Sequence, residues 1–252
     1  MALSPSGPPQ SNRKFLFPSL GLIALLGIII YANSLTGQFV WDDEVLVQGN
    51  PYVKDWSYLP RIFTSRLGSV AKEAGAFYRP IQTVTYLIDY TFWRQNVIGY
   101  HAANMMFHIL AAAVLFLLAL ALFQKPKMAL LTALLFIAHP VHTEAVSYIS
   151  GRADSLVALF IFFAFFFYWK YDQRPRNSLL GLMALSYIAA ALSKEIGLIL
   201  PVLIGFFHHA FRKPVNKKAF AALVAVFLVY VLWRIFVVGG ASVAEGAPPG
   251  FF

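Results

Sequence analysis

The sequence has no cysteine, which excludes disulfides and thiolate metal sites. Charge is scarce too: Asp, Glu, Lys and Arg make up 12% of the 252 residues, about half of the roughly 25% usual in a soluble domain. Acidic residues are the rarer sign, 11 against 20 basic ones. No RNA- or DNA-binding motif accompanies the net charge of +9, so that excess is not read as nucleic-acid affinity. Neither a helical repeat period nor the two-fold internal repeat common in transporters is present.

Apolar sequence is what the chain has in quantity, at 59% of all positions. Runs close to the ~20 residues that cross a hydrocarbon core recur at 14–34, 98–122, 128–147, 155–170, 178–193, 196–211 and 218–238. The expected fold class is therefore all-α integral membrane, with about seven transmembrane helices. Residues 1–13 are polar and Pro-rich and are expected to be a disordered cytoplasmic N-terminus. The run from Phe15 to Tyr31 exceeds the ~7–15-residue apolar stretch of a cleaved signal. A retained signal anchor is expected rather than cleavage near Ala32-Asn33-Ser34.

Charge asymmetry orients the helices. Arg13, Lys14, Lys125, Lys127, Lys170, Arg174, Arg176, Arg212, Lys213, Lys217 and Lys218 fall on one set of connections, which the positive-inside rule makes cytoplasmic. Of the 11 acidic residues only Asp172 joins them. The opposite face receives a long first outer loop, 35–97, the short connections near Arg152 and Lys194, and a tail, 239–252. The membrane core is thus expected over 14–238. Within the loop, Tyr78 to Trp93 (YRPIQTVTYLIDYTFW) reads as a helix lying in the membrane interface.

Several groups on that outer face have the chemistry of a reaction centre. Asp42, Asp43 and Glu44 are consecutive carboxylates. They suit a general base or a divalent-cation site, with Mg or Mn held by Asp42 and Asp43, although a solvated acidic turn has the same sequence. His139 and His142 share a helix face beside Glu144, suited to a phosphate or a metal but without the spacing of a known zinc motif. Arg152, in GRAD, suits bidentate contact with phosphate, while Asp154 or Ser155 could be a helix N-cap, the simpler role for Asp154 taken alone. Lys194 and Glu195 read as a local pair at the same level. His101, Asn104 and His108 form one polar stripe, for which helix–helix hydrogen bonding is the simpler role. Arg79 precedes that stripe, and Arg234 lies near the outer end of the seventh run. His208 and His209 read as interfacial residues at the cytoplasmic end of the sixth. Each group has an ordinary structural explanation, but their gathering at one level of one face is the pattern of an active site for an anionic, lipid-borne substrate.

The ordered segments FVWDDEVLVQGNPYV, YRPIQTVTY, GYHAANMMFHIL, HPVHTEAVSYISGRADSL and LSKEIG together resemble the transmembrane, tetratricopeptide-repeat-containing O-mannosyltransferases and their bacterial relatives, which are GT-C membrane glycosyltransferases. The resemblance runs from Tyr31 to Arg234. It implies transfer of a sugar, mannose first, from a polyprenyl-phosphate carrier in the membrane lipid to a protein Ser or Thr hydroxyl, with inversion. It also implies an acidic base in the first outer loop. Asp42 matches that position, with Asp43 next and Glu44 positioning either. Arg79, His142, Arg152 and Lys194 would hold the carrier phosphate, supported by His101, His139, Glu144, Asp154, Glu195 and Arg234. Family members continue into more membrane helices and then repeats, so a fragment is expected rather than a minimal core that pairs with another subunit. A bacterial inner membrane is favoured over an endoplasmic reticulum membrane. The competing readings are a transferase with a glycan or lipid acceptor, a lipid-linked-anion flippase, and an inactive scaffold.

Overall fold

The computed structural model describes residues 10–67 and 77–245. Residues 1–9 of the expected N-terminal segment and 246–252 of the expected tail lie outside them, while residues 10–13 and 239–245 are helical. The order is α1 (Gln10–Tyr31), α2 (Leu59–Thr64), α3 (Pro80–Trp93), α4 (Val97–Phe123), α5 (Pro126–Ala138), α6 (Thr143–Ser147), α7 (Arg152–Gln173), α8 (Asn177–Ser193), α9 (Leu200–Ala210) and α10 (Lys217–Glu245), joined by short 3₁₀ and π turns. No strand occurs among the described residues.

All seven expected runs are helical, but they differ in reach. Four segments are long and apolar enough to cross a membrane: Lys14–Thr36, Val97–Phe123, Ile149–Gln173 and Lys217–Val237. A fifth crossing is broken, because Pro126–Ala138 and Pro140–Ser147 meet at 49°. Pro140 has no amide hydrogen to continue the α5 ladder, and His139 caps the next turn instead, its Nδ1 accepting from Val141 N at 3.2 Å. The other two apolar helices, Asn177–Ser193 and Glu195–Ala210, are shorter. At ~1.5 Å per residue, α8 is about 25 Å long, less than the ~30 Å of a typical hydrocarbon core.

Small residues set the packing distances. Ala112 and Ala119 of α4 meet Ala129 and Ala133 of α5 in a buried cluster that also holds Ile23 of α1 and Phe116. Alanine faces let membrane helices approach closely where apolar burial gives little drive for association. α7 lies between α4 and α8, and a second core of Tyr168, Tyr171, Met183, Tyr187, Leu200, Ile204 and Leu223 joins it to α8, α9 and α10. His208, expected at the interface, is buried among the helices. It shares a 2.6 Å hydrogen bond with Tyr168 Oη. His209 is exposed, as expected.

The described residues of the expected first outer loop, 35–67 and 77–97, are docked against the helices. Asn50 and Asp55 cap successive 3₁₀ turns, accepting from Tyr52 N at 3.0 Å and Ser57 N at 2.8 Å. Tyr78, at the start of α3, donates to Phe63 O at 2.7 Å and accepts from Trp233 Nε1 of α10 at 2.8 Å. The buried side of α3 mixes Tyr86 and Leu87 with the polar Gln82, Thr83 and Asp89, while Ile88, Phe92 and Trp93 are exposed. That polarity suits a helix whose outer side meets lipid, as read from the sequence.

Candidate active site

The segment 148–154, which leads into α7, organises the outer face. Tyr148 Oη accepts from the Asp42 amide at 3.1 Å. Ser150 donates to Asp43 Oδ1 from its amide at 2.8 Å and its hydroxyl at 2.5 Å. Arg152 reaches Asp89 of α3 at 2.6 Å, and Asp154 reaches Lys194 at 2.5 Å. Alternate residues of one short stretch thus hold three separate elements: Tyr148 and Ser150 the 42–43 segment, Arg152 α3, and Asp154 the Lys194 turn.

The stretch can do this because its own backbone is fixed. Asn104 of α4 donates to the carbonyls of Val146, Tyr148 and Ile149 at 3.3, 2.9 and 3.2 Å. Tyr86 of α3 donates to Ile149 O at 3.0 Å, and Gln82 to Ser150 O at 2.9 Å. Gly151 lies against the previous turn so closely that a Cβ there would stand 2.3 Å from Glu144 O. The carbonyls of Tyr148, Ile149 and Ser150 in this short turn therefore each have a side-chain donor, as irregular backbone among apolar helices requires.

The three consecutive carboxylates separate in space. Asp43 is fully buried, whereas Asp42 and Glu44 are exposed. Both Asp43 oxygens are engaged, since Oδ2 accepts from Val40 N at 3.1 Å. Burial pushes its carboxyl above the ordinary value of 3.8, against the pull of the Ser150 and Val40 hydrogen bonds. The folded state therefore binds this proton more tightly than the unfolded chain does. Stability contributed here falls as pH rises from 3.8 through the raised folded value and is flat above it. The thermal midpoint of the wild type in detergent micelles, minus that of Asp43→Asn, is expected to be more favourable at acid than at neutral pH.

Arg152 departs from expectation. Placed by its sequence in a short outer connection with donors to spare, it begins α7 and is 0% exposed. Besides Asp89, it donates to Asn104 Oδ1 at 2.6 Å, Thr85 Oγ1 at 3.1 Å and Tyr100 O at 3.0 Å, and its guanidinium lies 4.6 Å from the Tyr86 ring centroid. Such a guanidinium holds α3, α4 and α7 together and has no face left for a phosphate. Neither Asp154 nor Ser155 is the N-cap of α7, which is Gly151. Asp154 instead lies in the first turn, where its charge complements the helix dipole.

Arg79 and Glu195 face one another, Nε and Nη2 of the arginine lying 3.2 and 3.1 Å from Oε2. Arg234 Nη2 is 3.7 Å from the other oxygen, Oε1. All three side chains, and Lys194, keep partial exposure. Arg79, Arg234 and Lys194 are thus partly exposed cations, each beside a carboxylate, Glu195 or Asp154. His142 is half-buried at the bend, its ring 5.1 Å from that of His108 and 4.5 Å from Phe136. His139 and Glu144 are exposed. His101 is buried with Gly37 pressed on it, so that a Cβ at Gly37 would stand 2.7 Å from Nε2. It is thus enclosed within the protein.

Asp42 and Asp43 do not form the cation pair that their adjacency suggests, because one carboxylate points into the protein and the other is exposed. Among the described residues, no three His, Cys, Asp or Glu side chains group as a metal site. The residues that sequence reading missed are Ser150, Tyr148 and Asp89. Asp89 had a usable signal: a buried Arg needs a carboxylate, and α3 holds no other acidic residue.

Comparison with known proteins places the sequence in a family. The family profile described as dolichyl-phosphate-mannose-protein mannosyltransferase matches residues 68–242, more than half of the chain. A protein O-mannosyl-transferase of Caenorhabditis elegans is 31% identical over 228 residues, 87% of this chain and 32% of the relative. Protein O-mannosyl-transferase TMTC1 of Homo sapiens is 34% identical over 169 residues, covering 64% of this chain and 19% of its own. TMTC3 of Homo sapiens is 32% identical over 183 residues, covering 69% and 20%. The chain therefore spans between about a fifth and a third of the length of these relatives. No solved structure matches it. On the extent of the family match, this chain belongs to the dolichyl-phosphate-mannose-protein mannosyltransferase family.

Proposed function

We propose that this chain is the sugar-transferring membrane portion of a protein O-mannosyltransferase. It moves mannose from a polyprenyl-phosphate carrier to Ser or Thr hydroxyls on the non-cytoplasmic face, with inversion. That face is periplasmic in a bacterial inner membrane and lumenal in an endoplasmic reticulum membrane. The observation that carries the reading is the state of Asp42: an exposed carboxylate on a backbone held at its own amide by Tyr148 and at the next residue by Ser150. A general base needs this combination of fixed position and open access.

In the reaction, Asp42 takes the proton of the acceptor hydroxyl as its oxygen attacks the anomeric carbon. The bond from that carbon to the phosphate oxygen breaks on the opposite side of the ring, and polyprenyl phosphate leaves with the electron pair. Arg79 and Lys194 supply positive charge for the departing phosphate, assisted by His142. Glu195 orients Arg79 together with Arg234, and Asp154 orients Lys194. Arg152, His101, His139 and Glu144 take no direct part.

The test is transfer of radiolabelled mannose by the chain in proteoliposomes to a Ser/Thr peptide, with polyprenyl-phosphate-mannose or a nucleotide-mannose as donor. Label released from the peptide by β-elimination, and seen only with the lipid donor, is the expected result. Transfer from the nucleotide sugar alone, or from neither donor, would sink the proposal. Arg79→Ala is expected to raise KM for the lipid donor about tenfold to a hundredfold, the equivalent of one hydrogen-bonded charge contact of roughly 1.5–3 kcal/mol. Titration of the donor at saturating peptide measures it.

A further inference from the structure

One carboxylate joins the first outer loop to the turn before α7. Asp43 is the only member of its acidic triplet that faces inward, and both of its oxygens accept hydrogen bonds. Its partner is immobile from behind: Gln82 holds the Ser150 carbonyl, Tyr86 and Asn104 hold that of Ile149, and Asn104 also holds that of Tyr148. Two residues before Asp43, Trp41 lies in the left-handed region at φ 51° and is 82% exposed. A tryptophan adopts that conformation only where its surroundings over-determine it. What fixes it here is the Asp43 anchor, the Tyr148–Asp42 hydrogen bond and the edge contact of its ring with Tyr148, with centroids 6.1 Å apart.

We infer that Asp43 is a positioning residue for mannosyl transfer, acting through Ser150 to fix the backbone that presents the Asp42 carboxylate, and that it neither takes the acceptor proton nor binds a cation. The inference rests on Asp42 as the base. It assigns different work to two neighbouring carboxylates: one fixes the loop from inside and the other meets the substrate. Asparagine at position 43 keeps an oxygen for both Ser150 donors and loses only the Val40 contact. Alanine loses every contact, and Trp41 is then free to relax out of the left-handed region, carrying Asp42 with it.

Four variants of the full chain in proteoliposomes decide it: Asp43→Ala, Asp43→Asn, Ser150→Ala and the double variant Asp43→Ala/Ser150→Ala. A misplacement on the order of 1 Å costs about a hundredfold in rate, so Asp43→Ala is expected to lose about that much kcat with donor KM nearly unchanged. Asp43→Asn should recover to within about tenfold of wild type, and the double variant should be no slower than Asp43→Ala, because two residues acting as a unit are non-additive. Hydrogen exchange at the amides of residues 40, 42 and 43 should speed up in Asp43→Ala; in Asp43→Asn the amides of 42 and 43 should recover, while that of 40, which loses its Oδ2 acceptor, stays fast. An Asp43→Asn variant as inactive as Asp42→Asn, additive losses in the double variant, or unchanged exchange would each overturn the inference. If Asp43→Ala fails to insert, Ser150→Ala carries the exchange test, since it removes only the hydroxyl contact. If the wild type transfers no mannose, the functional reading fails, while hydrogen exchange still decides whether Asp43 fixes the loop.

Discussion

Asp42→Asn is expected to lower kcat for mannosyl transfer by about 10²- to 10⁴-fold, the usual contribution of a positioned general base. The fold should not change, because the Asp42 side chain is exposed and its structural contact is made by the backbone amide, which asparagine retains. Donor KM should stay close to wild type, since the lipid phosphate is assigned to Arg79 and Lys194. The control is Glu44→Gln. Glu44 is also exposed, but its visible work is done by its backbone carbonyl, which accepts from Gly49 N at 2.7 Å to close a turn of π-helix. Glutamine there should cost no more than a few-fold, the scale of a surface change away from the chemistry. Steady-state transfer with all three proteins separates the carboxylates. Equal activity in Asp42→Asn and wild type would remove Asp42 as base, and a loss confined to Glu44→Gln would move that role two residues along.

The fold was legible because membrane physics simplifies the code. Runs such as Val97–Phe123 announce themselves by length and hydropathy. The breaks were less legible. The stretch 128–147 reads as one run, and nothing in its sequence gives the 49° between its two halves. In the candidate site the residue types were readable and their division of labour was not. Asp42 and Asp43 are chemically identical and adjacent, and only the partner more than a hundred residues away, Ser150, decides which one turns inward. Arg152 illustrates the opposite error. A guanidinium next to a glycine at the outer level suits phosphate by its chemistry, yet the hydrogen-bond acceptors that consume it come from α3 and α4. A sequence shows a donor's capacity, whereas whether that capacity is already spent depends on tertiary contacts.

That difference makes Arg152→Met the second large expectation. Here the outcome is loss of structure, not loss of donor affinity. The substitution leaves Asp89, 7% exposed, without its cation, and removing one partner of a buried pair costs about 3–5 kcal/mol. Asn104 Oδ1, Thr85 Oγ1 and Tyr100 O lose a donor in the same step. At about 2–4 °C per kcal/mol for a chain of this size, the thermal midpoint in micelles should fall by roughly 6–20 °C. The double variant Arg152→Met/Asp89→Leu should recover part of that fall, because an apolar pair of similar volume avoids the desolvation that a lone carboxylate suffers. Recovery should be incomplete, since the Asn104 acceptor stays unpaired. A phosphate-binding Arg152 would behave otherwise: the single variant would keep its midpoint and bind donor weakly, and substituting Asp89 would rescue nothing. Thermal unfolding of the two variants, followed before any transfer assay, therefore separates an arginine that holds three helices from one that holds a substrate.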